Sequence, residues 1–581
     1  MYVAAVPNRN SPPAILLRES FRLNGKVNNR TLANISHWPA AQVDALRAVL
    51  KGATSIGTPL PQAFEIVRSR PHGHVAAVLG TLRKLQLDQL IDKRPCRELD
   101  LVLAMIVSRV LEPASKLATS RALHPDTLTS TLGELLHLDS LTEDELYAAM
   151  DWVLPQQARI EQALAKRHFA QGSLVLYDLT STYFEGRHCP LAKLGHPRDD
   201  KKGKLQVVFG LMTNAQGCPV AVEVYAGNTS DPKTVSDQVT KLRKRFGLQR
   251  VILVGDRGMI TSARIRENLK PAPGIEWITA LRAPAIKKLA SGGVLQLSLF
   301  DSRDLAEITH PDFPGERLIA CYNPLLAEER ARKRPELLAA TEKELEKIAV
   351  ATRRKKRPLR GKQNIGLRAG KVLNRYKMGK HFQIQIEDGR FSYQRKQANI
   401  EKEESLDGIY VIRTNVPAEA LSSEQAVRNY KSLSGVERAF RSLKTVDLHV
   451  RPIHHREPDR VRAHIFLCML AYYVEWHMRQ DVAPLLLDDD DKAAAEKVRT
   501  SVVAPAQRSA SAQQKVHNKR TKDDLPVHSF QTLLSDLATI VANRIQPKDA
   551  SIPAFEIVTT PTVLQQRALD LLGVPLKPPG A

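Results

Sequence analysis

The sequence predicts a mixed fold of the α/β or α+β class, with a helical domain in front of a sheet-containing core. Three observations indicate this fold class. Apolar residues recur at helical spacing from about residue 76 to residue 169. From Leu174 onward, short apolar runs typical of buried strands alternate with helical segments. Two further helical segments, 423–443 and 459–478, complete the predicted core.

Residues 1–70 are predicted to form a small mixed region. Extended stretches at 14–17 and 21–23 precede the turn signal Asn24-Gly25, and residues 39–51 follow as a helix.

Residues 71–170 are predicted to form a helical domain, in which Thr142 and Glu145 have the spacing of a capping box. The first part of the core, residues 171–282, follows. Asp231 is predicted as the N-cap of a helix within it. Its predicted strands are 173–177, 206–212, 220–225, Val251–Val254 and 276–280.

Residues 283–420 are predicted to be a β-rich insertion in the core. A charged helix at about 325–348 and a basic stretch at 353–362 lead into alternating segments typical of strands. Residues 421–481 form the second part of the core. Residues 482–581 are predicted to be a linker and a C-terminal helical tail, with one or two docked helices from Ser529 onward.

The composition favours a polyanionic partner. The 581 residues include 86 Lys and Arg against 62 Asp and Glu, a formal net charge of +24. Such an excess favours nucleic acid or an anionic membrane surface. The longest apolar run, 465–474, is much shorter than the ~20 residues of a spanning helix, and the N-terminus lacks a secretory signal. We therefore expect DNA as the partner and no membrane.

The cysteines predict a reduced setting. There are five, and none forms a Cys-x-x-Cys pair. We therefore expect a cytosolic protein with neither disulfides nor structural zinc.

Two aspartates are candidates for metal-dependent chemistry. Asp178 and Asp256 each follow an apolar, strand-like run. Carboxylates at the ends of adjacent strands converge, and together they offer the oxygen ligands that Mg²⁺ prefers. The alternative is that each aspartate merely caps a turn.

Glu437 is the third candidate carboxylate. It is predicted to share one helical face with Tyr430, Leu433, Arg441 and Lys444. A third carboxylate on a packed helix would allow two metal ions and in-line phosphoryl transfer. The alternative is an amphipathic face exposed to solvent.

Four segments resemble a known family. They are 177–186 (Tyr-Asp-Leu-Thr-Ser-Thr-Tyr-Phe-Glu-Gly), 227–232 (Gly-Asn-Thr-Ser-Asp-Pro), 255–259 (Gly-Asp-Arg-Gly-Met) and 430–444. The first three resemble bacterial insertion-sequence transposases of the DDE class, and the fourth resembles the Tyr-Arg-Glu-Lys signature of that group. The resemblance covers roughly residues 16–476.

The resemblance implies an RNase H-like core in which Asp178, Asp256 and Glu437 form the metal-binding triad. The cofactor it implies is Mg²⁺, two ions, with Mn²⁺ as a substitute. Leu433 stands where the signature has arginine, and Arg441 is a candidate to supply that cation. The resemblance also implies a homodimer assembled on DNA, in a bacterial cytoplasm and associated with the nucleoid when bound.

Several basic residues are candidates for DNA contacts. Phosphate contacts give affinity without sequence choice. The runs 241–250, 330–334 and 353–362 are such candidates, with base recognition expected within residues 1–170. The specific DNA-binding candidates are Tyr430, Arg441, Lys444, Arg353, Arg354, Lys355 and Lys356.

The expected function is therefore that of a DNA transposase, which cuts at the ends of its element and transfers strands into target DNA. Two alternatives stay open. One is a nuclease with the same core that cuts without joining, and the other is an inert DNA-binding derivative.

Overall fold

The computed structural model describes residues 1–9, 12–23, 26–51, 64–186, 188–198, 201–300, 304–499, 501–548 and 553–577. The predicted Asn24-Gly25 turn lies outside these residues. The fold is mixed α and β, as predicted. None of the helices in the described ranges is long and apolar enough to cross a membrane.

An eight-stranded mixed sheet forms the centre of the molecule. Its strands are β5 (Ser173–Tyr183), β6 (Gln206–Asn214), β7 (Pro219–Ala226), β8 (Val251–Val254), β9 (Ile275–Ala280), β10 (Leu305–Ile308), β11 (Arg317–Tyr322) and β14 (Ile409–Thr414). Their order across the sheet is β10-β11-β14-β9-β8-β5-β6-β7. The strands β5, β6 and β7 form an antiparallel meander, whereas β5, β8 and β9 run parallel. All five strands predicted for residues 171–282 are confirmed.

Apolar runs explain why these strands lie in the interior. Eight consecutive residues of β6 are buried, so the strand is covered on both faces. Helix Pro458–Asp481 and helix Gln157–His168 pack against β7. Helix Leu433–Arg441 packs against β5, with the ring of Phe440 set edge-on to Phe209 of β6 at 5.6 Å.

The region before the sheet is helical, as its apolar periodicity predicted. Its helices are Gly73–Lys84, Leu87–Ile91, Arg97–Leu111, Lys116–Leu123, Leu132–Leu135, Glu143–Val153 and Gln157–His168. The capping box of Thr142 and Glu145 is present at the start of the sixth of these helices. Helix Arg97–Leu111 packs against helix Pro458–Asp481, so the helical domain and the sheet share one hydrophobic core.

The insertion differs from its predicted β-rich character. It contains helices of 29 and 15 residues, Pro324–Thr352 and Lys362–Tyr376, whereas its strands have 4 to 6 residues each. The second helix was missed because basic and glycine residues interrupt its apolar stripe. Three strands extend the central sheet, while β12 (Phe382–Glu387) and β13 (Arg390–Arg395) pair as a hairpin. The two helices and this hairpin enclose a separate small core.

A strand from before the helical region joins two strands of the C-terminal tail in a three-stranded sheet. Strand β4 (Phe64–Pro71) pairs with β15 (Val541–Pro547), which pairs with β16 (Phe555–Val558). The sequence predicted a helical C-terminal tail, whereas this tail also contributes two strands. Its helices Phe530–Leu537 and Val563–Leu572 confirm the docked helices expected after Ser529.

The remaining elements lie around this frame. At the N-terminus, β1 (Tyr2–Val6), β2 (Ala14–Leu23) and β3 (Lys26–Asn34) form an antiparallel sheet, followed by the predicted helix Ala40–Leu50. The other helices are Val235–Thr240, Ser262–Arg264, Ala283–Ser291, Gln397–Glu404, Ser423–Lys431, Lys492–Val498 and Ala510–Asn518.

Candidate active site

Asp178 and Asp256 come from neighbouring parallel strands. Leu176 of β5 is paired with Val254, the last residue of β8. Each aspartate lies two residues beyond its member of this pair. The parallel pairing therefore brings both carboxylates to the same edge of the sheet, as their positions after apolar runs predicted.

The Asp178 carboxyl is largely enclosed. Its Oδ1 accepts a hydrogen bond from the backbone N–H of Leu179 at 2.8 Å. Burial raises the pKa of Asp178 to about 7, and the negative charge of Asp256 adds to this effect, whereas the Leu179 N–H and Arg198 oppose it. A buried carboxyl next to a second carboxylate is stabilised when a cation binds between them.

Asp256 is exposed and is held by a tight turn. Its Oδ2 accepts a hydrogen bond from the N–H of Gly258 at 3.1 Å. A Cβ atom on Gly258 would lie 3.1 Å from that same oxygen, so the turn has little room for a side chain there. The guanidinium of Arg282 donates to the carbonyl oxygens of Arg257 and Gly258, at 3.1 and 3.2 Å.

Glu437 extends from helix Leu433–Arg441 and is exposed. Tyr430 lies within electrostatic reach of Glu437 and of both aspartates. Burial raises the pKa of the Tyr430 hydroxyl to about 12, and the charges of Asp256, Asp178 and Glu437 all contribute, against the opposing charge of Arg257. All three carboxylates therefore act on one phenol. Their oxygen atoms do not all lie within 4.8 Å of one another, so the three form an open site and not a closed cluster.

Comparison with known proteins agrees with this arrangement. A family described as "Transposase DDE domain" matches residues 173–474, more than half of the chain. The match begins at the first residue of β5 and ends within helix Pro458–Asp481, so it includes all three carboxylates. The chain belongs to the DDE transposase family.

Other comparisons add little to this assignment. The DDE transposase has no match among curated proteins. Among solved structures it is similar to a cryo-EM structure of piggyBac transposase in a synaptic complex with hairpin DNA, at 8% identity and a TM-score of 0.34. That alignment covers 70% of this chain and 72% of the other. A likeness at this level carries no further conclusion.

The helical face predicted for this transposase is interrupted. One helix ends at Lys431 and the next begins at Leu433, and a π-helical turn, Ser442–Val446, follows. Leu433 is only 9% exposed and packs in the core, whereas Arg441 is exposed. Leu433 stands where the family signature has arginine, and its burial in the core explains why this residue is apolar.

Lys444 contacts the strand that carries Asp178. Its Nζ donates to Thr180 Oγ1 at 2.7 Å and to the Ser181 carbonyl oxygen at 3.3 Å. The π-helical turn rotates Lys444 away from the direction expected for a regular helix, since each such turn adds a residue.

Arg198 and Asp231 are two residues that sequence reasoning missed. Asp231 was predicted to be an N-cap, which is wrong, because Ser230 occupies that position before a 3₁₀ turn and Asp231 instead forms an ion pair with Arg198. The backbone N–H of Arg198 donates to Ser181 Oγ at 3.0 Å. Both charged groups influence the pKa of Asp178. Arg198 lies in a loop without periodicity, so no pattern in the sequence could have indicated it.

The basic runs differ in their availability for DNA. Arg353, Arg354, Lys355 and Lys356 are all exposed in the loop after helix Pro324–Thr352. In contrast, Lys241 is buried between Glu161 and Glu223. Arg334 is likewise buried, and it pairs with Asp407. The expectation that the runs 241–250 and 330–334 serve phosphate contacts is therefore corrected for Lys241 and Arg334.

Proposed function

We propose that this transposase moves a bacterial insertion sequence by cutting DNA at the ends of the element and joining the freed 3′-hydroxyl to target DNA. The convergence of Asp178, Asp256 and Glu437 around Tyr430, within the matched transposase domain, carries this proposal. In this function the three residues are the catalytic carboxylates.

The sheet supports an RNase H-like core. Strands β7, β6 and β5 form an antiparallel meander, and β8 and β9 continue from β5 in parallel. The carboxylates lie on β5, directly after β8, and on a helix that packs against β5. In this scheme residues 171–282 and 421–481 are the two parts of the core, and 283–420 is the insertion.

The carboxylates suit a divalent cation with oxygen ligands. We assign Asp178, Asp256 and Glu437 as ligands of Mg²⁺, two ions, with Mn²⁺ as a substitute. The chemistry of the site fits, because the buried Asp178 carboxyl faces a second carboxylate and a nearby cation favours the ionised form of both. Bound metal ions stabilise charge on the attacking and leaving oxygens of phosphoryl transfer.

The protein's own side chains supply the surroundings of this site. Arg198, held by Asp231, fixes a positive charge beside Asp178. Lys444 ties the segment after Glu437 to β5. The Tyr430 hydroxyl stays protonated at neutral pH, because its pKa is raised to about 12, and it can therefore donate a hydrogen bond to a phosphate oxygen.

Double-stranded DNA is the proposed substrate. A net charge of +24 supports a polyanionic partner, and the exposed residues Arg353, Arg354, Lys355 and Lys356 form a compact basic surface. The helical domain at 71–170 is the proposed site of end recognition. Two element ends must be joined in one reaction, which favours a homodimer assembled on DNA.

A strand-transfer assay tests the function. The chain is incubated with Mg²⁺, a labelled duplex bearing the terminal repeat that flanks its gene, and a supercoiled target plasmid. We expect cleavage at the repeat and covalent joining of the labelled end to the plasmid. A duplex with a scrambled repeat is the control. Cleavage without joining supports the nuclease alternative, and end binding without cleavage supports the inert derivative; either result contradicts the proposal.

A further inference from the structure

Three potential metal ligands meet at a point away from the carboxylates. His168 ends helix Gln157–His168, Cys218 lies in the turn between β6 and β7, and His477 lies in helix Pro458–Asp481. One ligand atom from each side chain lies within 4.8 Å of the other two. Among the described residues, this is the only group of three histidine, cysteine or acidic side chains whose ligand atoms lie this close together.

We propose that His168, Cys218 and His477 bind one Zn²⁺ ion, in a structural site distinct from the catalytic carboxylates. The site would join the helical domain, the sheet and the long helix of the core through a single ion. Zinc is the metal of choice because its protein sites combine cysteine sulfur with histidine nitrogen.

The distances are close to those of a tetrahedral site. The Cys218 Sγ atom lies 3.9 Å from Nε2 of His168 and 3.9 Å from Nε2 of His477. Zn–N bonds of about 2.0–2.1 Å and Zn–S bonds of about 2.3 Å place nitrogen and sulfur ligands about 3.5 Å apart in a tetrahedron. For these two sulfur–nitrogen pairs, side-chain movements of a few tenths of an ångström are therefore sufficient.

Tyr473 lies beside the cluster. Its hydroxyl is 3.0 Å from Nε2 of His168, and Cys218 Sγ is 3.9 Å from the same nitrogen. A zinc ion bound to that nitrogen would replace its hydrogen bond with Tyr473. Three protein ligands leave the fourth position of a tetrahedral zinc ion to a water.

The histidines are in the protonation state that binds metal. Burial lowers the pKa of His168, and burial together with the charge of His168 lowers the pKa of His477 to about 4. Both rings are therefore neutral at pH 7, with a lone pair available. Burial raises the pKa of the Cys218 thiol, so binding must release its proton. Because this proton is released, the affinity depends on pH. The nearby cations Arg167 and Lys84 also lower the pKa of His477.

The site would also stabilise a close contact beside the active-site helix. Gly217 precedes Cys218 and has a φ of +85°, and a Cβ atom on it would lie 3.4 Å from the Cα atom of Gly435. Gly435 is two residues from Glu437 on the same helix. An ion on Cys218 would therefore hold the turn against which this helix packs.

Cobalt binding to the full chain tests the proposal. The chain is purified under reducing conditions, stripped with a chelator and titrated with Co²⁺. We expect thiolate-to-cobalt charge-transfer absorption that saturates at one ion per chain, is displaced by Zn²⁺, and is accompanied by a higher melting temperature. Carboxylates do not produce this absorption, so the catalytic site does not contribute. Absence of the band in the wild-type chain would overturn the proposal, because the buried thiol and histidines would then be ordinary packing.

Two other buried cysteines provide matched controls. Cys468 lies 4.0 Å from His464, and Cys321 has no histidine among its described contacts. We expect the absorption to disappear in Cys218→Ser and to persist in Cys468→Ser and Cys321→Ser. In His477→Asn we expect the affinity for Co²⁺ to fall at least tenfold. A band that survives in Cys218→Ser, or that disappears in Cys468→Ser instead, contradicts the assignment of the ligands.

Discussion

Lys444 donates a hydrogen bond from Nζ to Thr180 Oγ1 at 2.7 Å. Thr180 lies two residues beyond Asp178 on the same strand. This contact joins the segment after the Glu437 helix to the strand that carries Asp178. The relative position of two of the three carboxylates thus depends in part on a lysine that the sequence suggested only as a DNA contact.

Lys444→Ala is expected to reduce both stability and cleavage. Loss of a charged hydrogen bond lowers the free energy of unfolding by about 1–3 kcal/mol. Arg441→Ala is the matched comparison, because Arg441 is exposed and its loss should weaken DNA binding without a change in stability. Urea unfolding and binding to a terminal duplex separate the two roles. If Lys444→Ala weakens binding but unfolds like the wild type, Lys444 contacts DNA instead of positioning the strand.

The three carboxylates should be individually essential for cleavage. Asp178→Asn, Asp256→Asn and Glu437→Gln keep the size of each side chain but remove the charge that the proposed function assigns to metal binding. We expect each to lower the cleavage rate at least a thousandfold while DNA binding persists. Glu185→Gln and Glu424→Gln are the controls, since both are exposed acids near the same elements. Near wild-type cleavage by any of the first three variants would show that the triad is misassigned.

Leu433→Arg should destabilise the chain and leave the family's arginine contact unrestored. Leu433 is 9% exposed and packs in the main core, so a guanidinium there loses apolar contacts and must extend to reach water. We expect a loss of about 1–3 kcal/mol in the free energy of unfolding, against less than about 1.5 kcal/mol for Leu433→Met. Stronger end binding by Leu433→Arg, with unchanged stability, would instead mean that position 433 faces DNA.

The basic loop should contribute affinity without sequence preference. Simultaneous replacement of Arg353, Arg354, Lys355 and Lys356 by Ala should weaken binding to specific and unrelated duplexes by the same factor. If each cation neutralises one phosphate, the slope of log K against log salt becomes shallower by about 3–4 units. Alanine at four exposed cations of the C-terminal region, Lys519, Arg520, Lys522 and Lys548, is the control. An unchanged slope in the loop variant would exclude this surface from the DNA interface.

Stability should depend on pH through Lys116 in the helical domain. Burial, followed by the charge of Arg109, lowers the pKa of Lys116 to about 7, whereas an unfolded lysine titrates near 10.4. Between these values the unfolded chain binds more protons, so this residue makes stability rise with pH from about 7 to 10. Below pH 7 the cost of the buried charge is fully present.

Lys116→Met therefore should raise the free energy of unfolding by up to about 4 kcal/mol at pH 6 and by little at pH 10. Lys166→Met, at an exposed position, is the control. The measurement is urea unfolding of the three proteins at both pH values. A difference between Lys116→Met and the wild type that is independent of pH would show that packing, and not charge, is responsible.

Local patterns in the sequence determined much of this fold. The apolar runs before Asp178 and Asp256 predicted two strands of the central sheet, and the Thr142–Glu145 spacing predicted a helix start that has this capping box. These features depend on residues within one turn or one strand of each other. The three candidate carboxylates could be selected for the same reason, because each stands at a recognisable position in its own element.

Tertiary structure alone decided which distant residues meet. Strand β4 pairs with β15 across almost the whole chain, and Arg198 meets Asp231 from an irregular loop. His168, Cys218 and His477 come together only because a helix end, a turn and a long helix pack at one point. The sequence by itself thus determined the strands of residues 171–282, the helices that flank them and the candidate acids, since local periodicity and capping specify them. The ion pairs, the buried lysines and the histidine–cysteine cluster were decided by packing between segments, which leaves no periodic signal in the chain.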